Sequence, residues 1–421
     1  EREGLDLVKL PPLPGLCPAR NGISPTTTLA TLDAKLQAAK GQCHVDVAFW
    51  GGVVPGNQDE LLSMLQAGVP GFACSLIASG VKEFPHVCPQ DLHVVMNELQ
   101  GTDCVLLFHA EQDLGHWNPA REDPTEYGAF LDSRPDAMET EAVQTVAALC
   151  LQYTVPCHIL HLSSARALPV IREAGQKGAP LTAETAHEAV KAALTKASPA
   201  PRECWSPSST QGSPWDVRRA HHCPVSRGHR GSWPGQALPS PAGQVTAPFL
   251  LLQEQLWCAL QEGLIDAVVS AHSPCSPDLK LGEDGDFLRA QGGIASLQFG
   301  LPLFWTSAKA RGFSLHDVVQ LMCTNPARLS RLAERKGALC PGMDADLVIW
   351  DPDKEFEVKK HMIQHENQLS PYLGFQLRGE VLATLVRGRL VYLRGKLAPK
   401  PEGNLLVTQR KLLERVSSPY Y

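Results

Sequence analysis

The feature that most constrains the fold is an alternation of apolar runs and helical segments between about residues 28 and 195. The runs CVLLFHAE and CHILHLSS are each followed by a segment with helical periodicity, ETEAVQTVAALCLQY and ARALPVIREAGQKG. These runs are apolar almost throughout, which is typical of strands covered on both faces. A repeated strand-then-helix order predicts an α/β architecture, with parallel strands and helices packed outside them.

The alternation ends at a segment rich in Pro, Gly, Ser and Arg, residues 198–248. No apolar residue recurs there at a strand or helix period, so we expect an irregular insertion. Further on, KGALCPGMDADLVIWDP and EVLATLVRGRLVYLRGK predict short antiparallel strands with Gly-centred turns. The resulting division is an irregular remnant at 1–21, an α/β domain at 22–335 that contains the insertion, a small β-module at 336–395 and a tail at 396–421.

Composition excludes several classes of partner and compartment. With 38 Lys and Arg against 44 Asp and Glu, the net charge of −6 predicts neither a nucleic-acid surface nor attraction to an anionic membrane. No apolar run reaches the roughly 18 residues that a membrane span needs. The 13 cysteines lack a C-x-x-C pair, and several lie in apolar runs, so we expect them to be reduced. We therefore expect an intracellular protein, cytoplasmic first, with mitochondrial or peroxisomal locations as alternatives.

Three histidines follow predicted strands at the point where each strand ends: His109, His161 and His272. The carboxyl ends of strands in a parallel barrel meet on one face, which is where active sites lie. Neutral imidazole is a good ligand for Zn²⁺, so His109 and His161 are candidate metal ligands. The alternative for each is a hydrogen-bonded structural histidine. A Ser-His triad is not favoured, because the chain has no G-x-S-x-G motif.

Several motifs, in a fixed order, carry a resemblance to a known family. They are AAKGQCHVDVAFWGGVVPGN, GVKEFPHV, FHAEQD, YGAFLDSRP, HILHLSSA, HSPCSPDLK, FLRAQGGIASLQFGLP, NPARL and KGALCPGMDADLVIWDP. Together they resemble the allantoinases, which are cyclic amidohydrolases of the hydantoinase and dihydropyrimidinase group. The resemblance covers about residues 22–195 and 250–395.

The resemblance implies a (β/α)8 TIM barrel with a small β-sandwich module. It also implies a small-molecule substrate, allantoin, whose hydantoin ring is hydrolysed to allantoate, and a homo-oligomer such as a tetramer. The family centre holds two metal ions, usually zinc, which lower the pKa of water and polarise the ring carbonyl. A carboxylate at the end of the last strand takes the proton of the attacking water.

The chain departs from the family at positions that carry the chemistry. The family has a bridging carboxylated lysine in Gly-Phe-Lys-Cys, where this chain has Ala73, and an aspartate in Ser-Asp-His-Ser-Pro, where it has Ala271. The His-x-His of the family's first strand is absent from residues 1–60. We therefore expect the chain to start after that strand, leaving an incomplete barrel of about six strands, with His109 and His161 as the remaining ligands.

Three functional hypotheses follow. The first is an allantoinase-type hydrolase whose activity is impaired or lost in this chain. The second is a catalytically inactive amidohydrolase-like scaffold, and the third is a cyclic amidase of the dihydropyrimidinase or dihydroorotase type. The motif AFWGGVVPGN favours an allantoinase over a dihydropyrimidinase or dihydroorotase.

Overall fold

The computed structural model describes residues 15–17, 25–115, 123–187, 242–280, 285–365 and 367–408. Its first half follows the predicted alternation. In chain order the elements are β1 (Gly15–Cys17), α1 (Leu29–Ala39), β2 (Val47–Phe49), β3 (Gly51–Gly52), α2 (Leu61–Gln66), β4 (Gly71–Ser75), α3 (Pro89–Leu99), β5 (Val105–His109), α4 (Tyr127–Asp132), α5 (Asp136–Tyr153), β6 (Cys157–Ile159), α6 (Leu168–Gln176) and β7 (Leu181–Ala186).

The second half completes the sheet and adds the module. Its elements are α7 (Ala242–Gln261), β8 (Ala267–Val269), α8 (Gly300–Lys309), α9 (Leu315–Val319), α10 (Asn325–Leu329), β9 (Leu347–Glu357), β10 (Gln376–Val386), β11 (Arg389–Leu393) and β12 (Lys396–Leu397). None of the described helices is long and apolar enough to cross a membrane.

Six parallel strands form one sheet in the order β3-β4-β5-β6-β7-β8. Because each strand pairs with the next along the chain, with helices between them, the carboxyl ends of all six lie at the same edge. This arrangement confirms the predicted α/β class with parallel strands. Within the described residues the sheet stays open, since β3 and β8 do not pair with each other.

The six-stranded sheet agrees with the expected count of about six strands, and the structure adds one short strand. Gly15–Cys17, which we expected to lie in an irregular remnant, forms a strand that pairs in parallel with β2, Gly15 opposite Val47. The run 47–52 is interrupted at Trp50, and its two halves pair with β1 and β4 respectively. A three-residue strand among prolines has too few residues to show a period, so the sequence does not reveal it.

The module is an antiparallel sheet, as predicted from its short apolar segments with Gly-centred turns. Its four strands lie in the order β12-β11-β10-β9, and β12 extends the sheet two residues into the predicted tail. The predicted irregular insertion falls mostly outside the described residues, but its last part, 242–248, belongs to α7. A π-helical turn spans Gln320–Thr324, after which Pro326 lies in the first turn of α10, where proline is tolerated.

A buried cation joins the strand array to the module. Lys336 Nζ lies 2.6 Å from Asp46 Oδ2, 2.5 Å from Asp346 Oδ2 and 3.0 Å from Asp344 Oδ2, and its side chain is fully buried. Asp46 directly precedes β2 and also accepts the backbone N–H of Asn404 at 2.8 Å. These contacts fix the start of β2 against the loop that leads into β9.

We predict that Lys336→Met destabilises the protein by about 3–5 kcal/mol, because it leaves buried carboxylates without their counter-charge. The measurement is the free energy of unfolding in urea. Lys177→Met is the matched control, since Lys177 forms an exposed pair with Glu173 on α6 and is expected to cost about 0–1 kcal/mol. Equal losses for the two variants would contradict the role given to Lys336.

Candidate active site

The structure brings the two predicted histidines into direct contact. His109 is the last residue of β5, and His161 lies two residues beyond the end of β6. Their nitrogens, His109 Nδ1 and His161 Nε2, are 2.8 Å apart, and the ring centroids are 4.7 Å apart. Neighbouring parallel strands thus deliver both rings to one point at the carboxyl edge of the sheet.

The backbone at His161 is held in an unusual conformation. Its φ is +40°, in the left-handed region that non-glycine residues rarely adopt. The next residue is fixed on both sides: Leu162 N–H donates to Glu184 O at 2.7 Å, and Leu162 O accepts from Thr185 Oγ1 at 2.7 Å. Such a conformation costs about 1–3 kcal/mol and persists where the surroundings enforce it, as they do at functional sites.

An acidic and a basic side chain set the protonation of the pair. Glu111 Oε2 lies 3.4 Å from His109 Nε2 and 2.8 Å from Arg134 Nη1. Burial raises the pKa of Glu111, but the hydrogen bond and charge of His109, with the charge of Arg134, outweigh it and bring the pKa to about 2. Glu111 is therefore a carboxylate at neutral pH, and its 3.4 Å contact with His109 Nε2 favours the tautomer that carries the proton on that nitrogen. That tautomer leaves His109 Nδ1 as a hydrogen-bond acceptor.

His161 is the donor to that nitrogen. Burial, with a smaller effect of the neighbouring His109, lowers its pKa to about 4, so the ring is neutral at physiological pH. Its Nε2–H can then donate to His109 Nδ1 across the 2.8 Å contact. The two nitrogens that would bind a metal thus satisfy each other through one shared proton.

The pair does not fit the two-metal centre that the family resemblance implies. Two imidazole nitrogens on a tetrahedral Zn²⁺ ion lie about 3.3 Å apart, so the rings would have to separate and lose the shared proton. Among the described residues, no group of three or more His, Cys, Asp or Glu side chains is placed to hold a metal ion. The pair alone offers two donors, enough for one weakly held ion.

The two alanines occupy the positions where the family resemblance implies a bridging lysine and a proton-accepting aspartate. Ala73 lies on β4 opposite Leu107 and packs against an apolar cluster that includes Trp50 and Phe84. Its methyl group neither ligates a metal nor takes up carbon dioxide. Ala271 follows β8, is exposed, and has a φ of +46°. A side chain that could take a proton from water is therefore missing at the end of this strand.

His272, the third predicted histidine, has a different role from the other two. Its Nδ1 accepts the backbone N–H groups of Ser296 and Leu297 at 3.1 and 3.2 Å. Burial, with a smaller effect of His365, lowers its pKa to about 4, so the ring is neutral. These contacts anchor the segment that leads into α8 and agree with a structural histidine.

Several polar residues of the site were not found from the sequence. Glu139 on α5 accepts the backbone N–H of Ser163 at 3.0 Å and of Ser164 at 2.5 Å, which holds the loop after His161. His158, the middle residue of β6, contacts Thr182 Oγ1 at 2.7 Å and Glu184 Oε2 at 3.1 Å. The HILH motif is a sequence signal that could have identified His158. No such signal exists for Glu139, because its contact with a loop 24 residues further along the chain depends on how α5 packs.

The pH dependence of stability tests the environment of Glu139. Burial raises its pKa to about 7, against the opposing effect of the Ser163 and Ser164 N–H groups. A carboxyl group whose pKa is raised on folding adds stability at low pH, and that stability is lost as the pH rises through about 7. We predict that Glu139→Gln melts at a higher temperature relative to the parent at pH 8 than at pH 5. Glu141→Gln, exposed on the same helix, is the control, and an equal shift there would contradict the assignment.

Comparisons with known proteins agree with the predicted resemblance. Residues 253–391 match the model of the Amidohydrolase family. "Allantoinase, mitochondrial" of Aquarana catesbeiana is 47% identical over 393 residues, which are 92% of this chain and 72% of that protein. "Allantoinase" of Saccharomyces cerevisiae is 35% identical over 398 residues, 93% of this chain and 77% of that protein.

Solved structures agree on the fold. L-Hydantoinase (dihydropyrimidinase) from Arthrobacter aurescens has a TM-score of 0.76 at 26% identity, covering 93% of this chain and 80% of its own. D-Hydantoinase from Thermus sp. has a TM-score of 0.72 at 22% identity, covering 94% and 79%. The predicted amidohydrolase fold of TIM-barrel type is thereby confirmed. On the sequence identity shared with its relatives over most of both chains, this chain belongs to the allantoinase family of amidohydrolases.

Proposed function

We propose that the inherited function of this chain is hydrolysis of the hydantoin ring of allantoin to allantoate, and that this activity is impaired or lost here. The choice of allantoin as the substrate is supported by the names of relatives that are up to 47% identical to this chain. The proposed loss of activity rests on two observations. Alanine stands at positions 73 and 271, and the His109 and His161 rings contact each other directly.

Ring hydrolysis needs a nucleophilic oxygen, an acceptor for its proton and a positive charge near the ring carbonyl. Members of the Amidohydrolase family generally use metal ions to activate water and polarise the carbonyl. In this chain the His161 ring is neutral, and its Nε2 is already engaged with His109 Nδ1. The two rings can hydrogen-bond a ring carbonyl after separating. No carboxylate replaces the base at position 271, a loss that costs about 10²–10⁴ in rate.

Zinc is the metal that we propose for the one ion this chain can take. Two imidazole nitrogens suit zinc better than magnesium or calcium, which prefer oxygen ligands. Glu111 is already engaged by Arg134, so it is a poor third ligand. The resulting affinity is expected to be weak.

A catalytically inactive scaffold is the second candidate. It is favoured by the preserved fold, with a TM-score of 0.76 over 93% of the chain, beside a site that has lost side chains at two positions. We propose a homo-oligomer, such as a tetramer, for this function, and light scattering on the purified protein tests it. We also propose an intracellular location, cytoplasmic or mitochondrial; the word "mitochondrial" stands in the name of the Aquarana catesbeiana relative.

Turnover of allantoin separates the hypotheses. We predict that the purified chain, supplied with Zn²⁺, Mn²⁺ or Co²⁺, hydrolyses allantoin at least about 10²-fold more slowly than the Saccharomyces cerevisiae relative assayed in parallel. Hydantoin and dihydrouracil, assayed in the same way, test the dihydropyrimidinase-type alternative. Turnover at the rate of the relative, abolished by His109→Ala, would contradict impairment.

Restoring the two missing groups is expected to change metal affinity more than activity. The Ala73→Lys/Ala271→Asp double variant provides two further donors beside His109 and His161, so we predict tighter zinc binding than in the parent. We predict no recovery of turnover, because the chain contains no His-x-His in residues 1–60. The single variants are the controls. Recovered hydrolysis in the double variant would show that the remaining residues suffice for the chemistry.

A further inference from the structure

Two buried cysteines meet between α5 and β6, away from the histidine pair. Cys150 lies in the last turn of α5, and Cys157 is the first residue of β6. Their Sγ atoms donate to the same carbonyl oxygen, Val155 O, at 3.4 and 3.3 Å. Because both sulfurs contact one oxygen atom, the two thiols lie close to each other. Both are free thiols in the structure, and both are buried.

The contact makes the two sulfurs unequal. The neighbouring Cys157 lowers the pKa of Cys150 below its ordinary value, whereas the neighbouring Cys150, together with burial, raises the pKa of Cys157. Cys74, which is buried nearby on β4, has a pKa raised well above the ordinary value by burial alone. Since the thiolate is the reactive form, Cys150 is the nucleophile of the pair and Cys157 is placed to resolve it.

We propose that Cys150 and Cys157 form a reversible disulfide when the protein meets a peroxide. The Cys150 thiolate attacks one peroxide oxygen, the O–O bond breaks, and the leaving hydroxide takes a proton to become water. Cys157 sulfur then displaces the hydroxyl of the Cys150 sulfenic acid, which leaves with the thiol proton as a second water. Two thiols lose two electrons in total, and one hydrogen peroxide is reduced to two water molecules.

The end of α5 gives the oxidant a route to the pair. Leu151, next to Cys150, is 37% exposed, and the helix ends at Thr154, whose φ of +55° is left-handed. Helix ends open locally more readily than the core, so the last turn can admit a small peroxide. The resulting bond would tie α5 to β6, the strand that leads to His161.

Peptide mass after oxidation tests the proposal on the full chain. Cleavage after Arg121 and Arg166 yields the tryptic peptide 122–166, since the bond after Arg134 precedes a proline, and its only cysteines are Cys150 and Cys157. Hydrogen peroxide is expected to remove the mass of two hydrogen atoms from this peptide, and dithiothreitol to restore it. The oxidised protein is expected to melt about 2–4 °C higher than the reduced one.

The controls separate a specific pair from general oxidation. Cys150→Ser should abolish the mass loss, and Cys74→Ser should retain it. A peptide that stays reduced while the exposed Cys88 and Cys340 oxidise would overturn the proposal. Oxygen added to one sulfur alone, or a disulfide joining this peptide to another cysteine, would overturn it equally. The mass of the parent peptide decides the question even where a serine variant does not fold.

Discussion

The buried ammonium group of Lys336 is the interaction on which the arrangement of strand array and module depends. It connects Asp46, immediately before β2, with Asp344 and Asp346, before β9. A buried carboxylate without a counter-charge costs several kcal/mol, so the four groups permit one relative placement of the two parts. Arg387 of the module, which pairs with Asp46, reinforces that placement. The strand ends that carry His109 and His161 therefore belong to a scaffold whose two parts are joined by groups other than these histidines.

The fold accommodates alanine at both positions where the family resemblance implies a functional side chain. Ala73 contributes a methyl group to an apolar cluster, and Ala271 lies exposed at a strand end. Removing a charged side chain from such positions costs the fold little, since active-site groups are commonly kept at the expense of stability. Under the proposed loss of activity, the same two positions lack the bridging group and the proton acceptor that the family resemblance implies. His109 Nδ1 and His161 Nε2 lie 2.8 Å apart, a distance that would have to increase for one metal ion to bind both nitrogens.

The sequence predicts the class of fold and the meeting of His109 and His161, because both follow from periodicity and from the common edge at which parallel strands end. It does not predict β1, whose three residues carry no period, nor the interruption of a single apolar run at Trp50. The sequence also does not predict contacts between side chains that lie on different elements. Arg134 reaches Glu111 across 23 residues, and Lys336 reaches Asp46 across 290, through packing that local pattern does not encode.

The number of metal ions that each chain holds tests the central claim most directly. The purified protein, saturated with Zn²⁺ and then freed of unbound metal by gel filtration, is analysed by elemental mass spectrometry against protein concentration. A site with His109 and His161 as its only metal-binding pair predicts at most one zinc ion per chain, removed readily by a chelator. Two ions per chain that survive the chelator would contradict the account, because they require ligands that Ala73 and Ala271 do not provide.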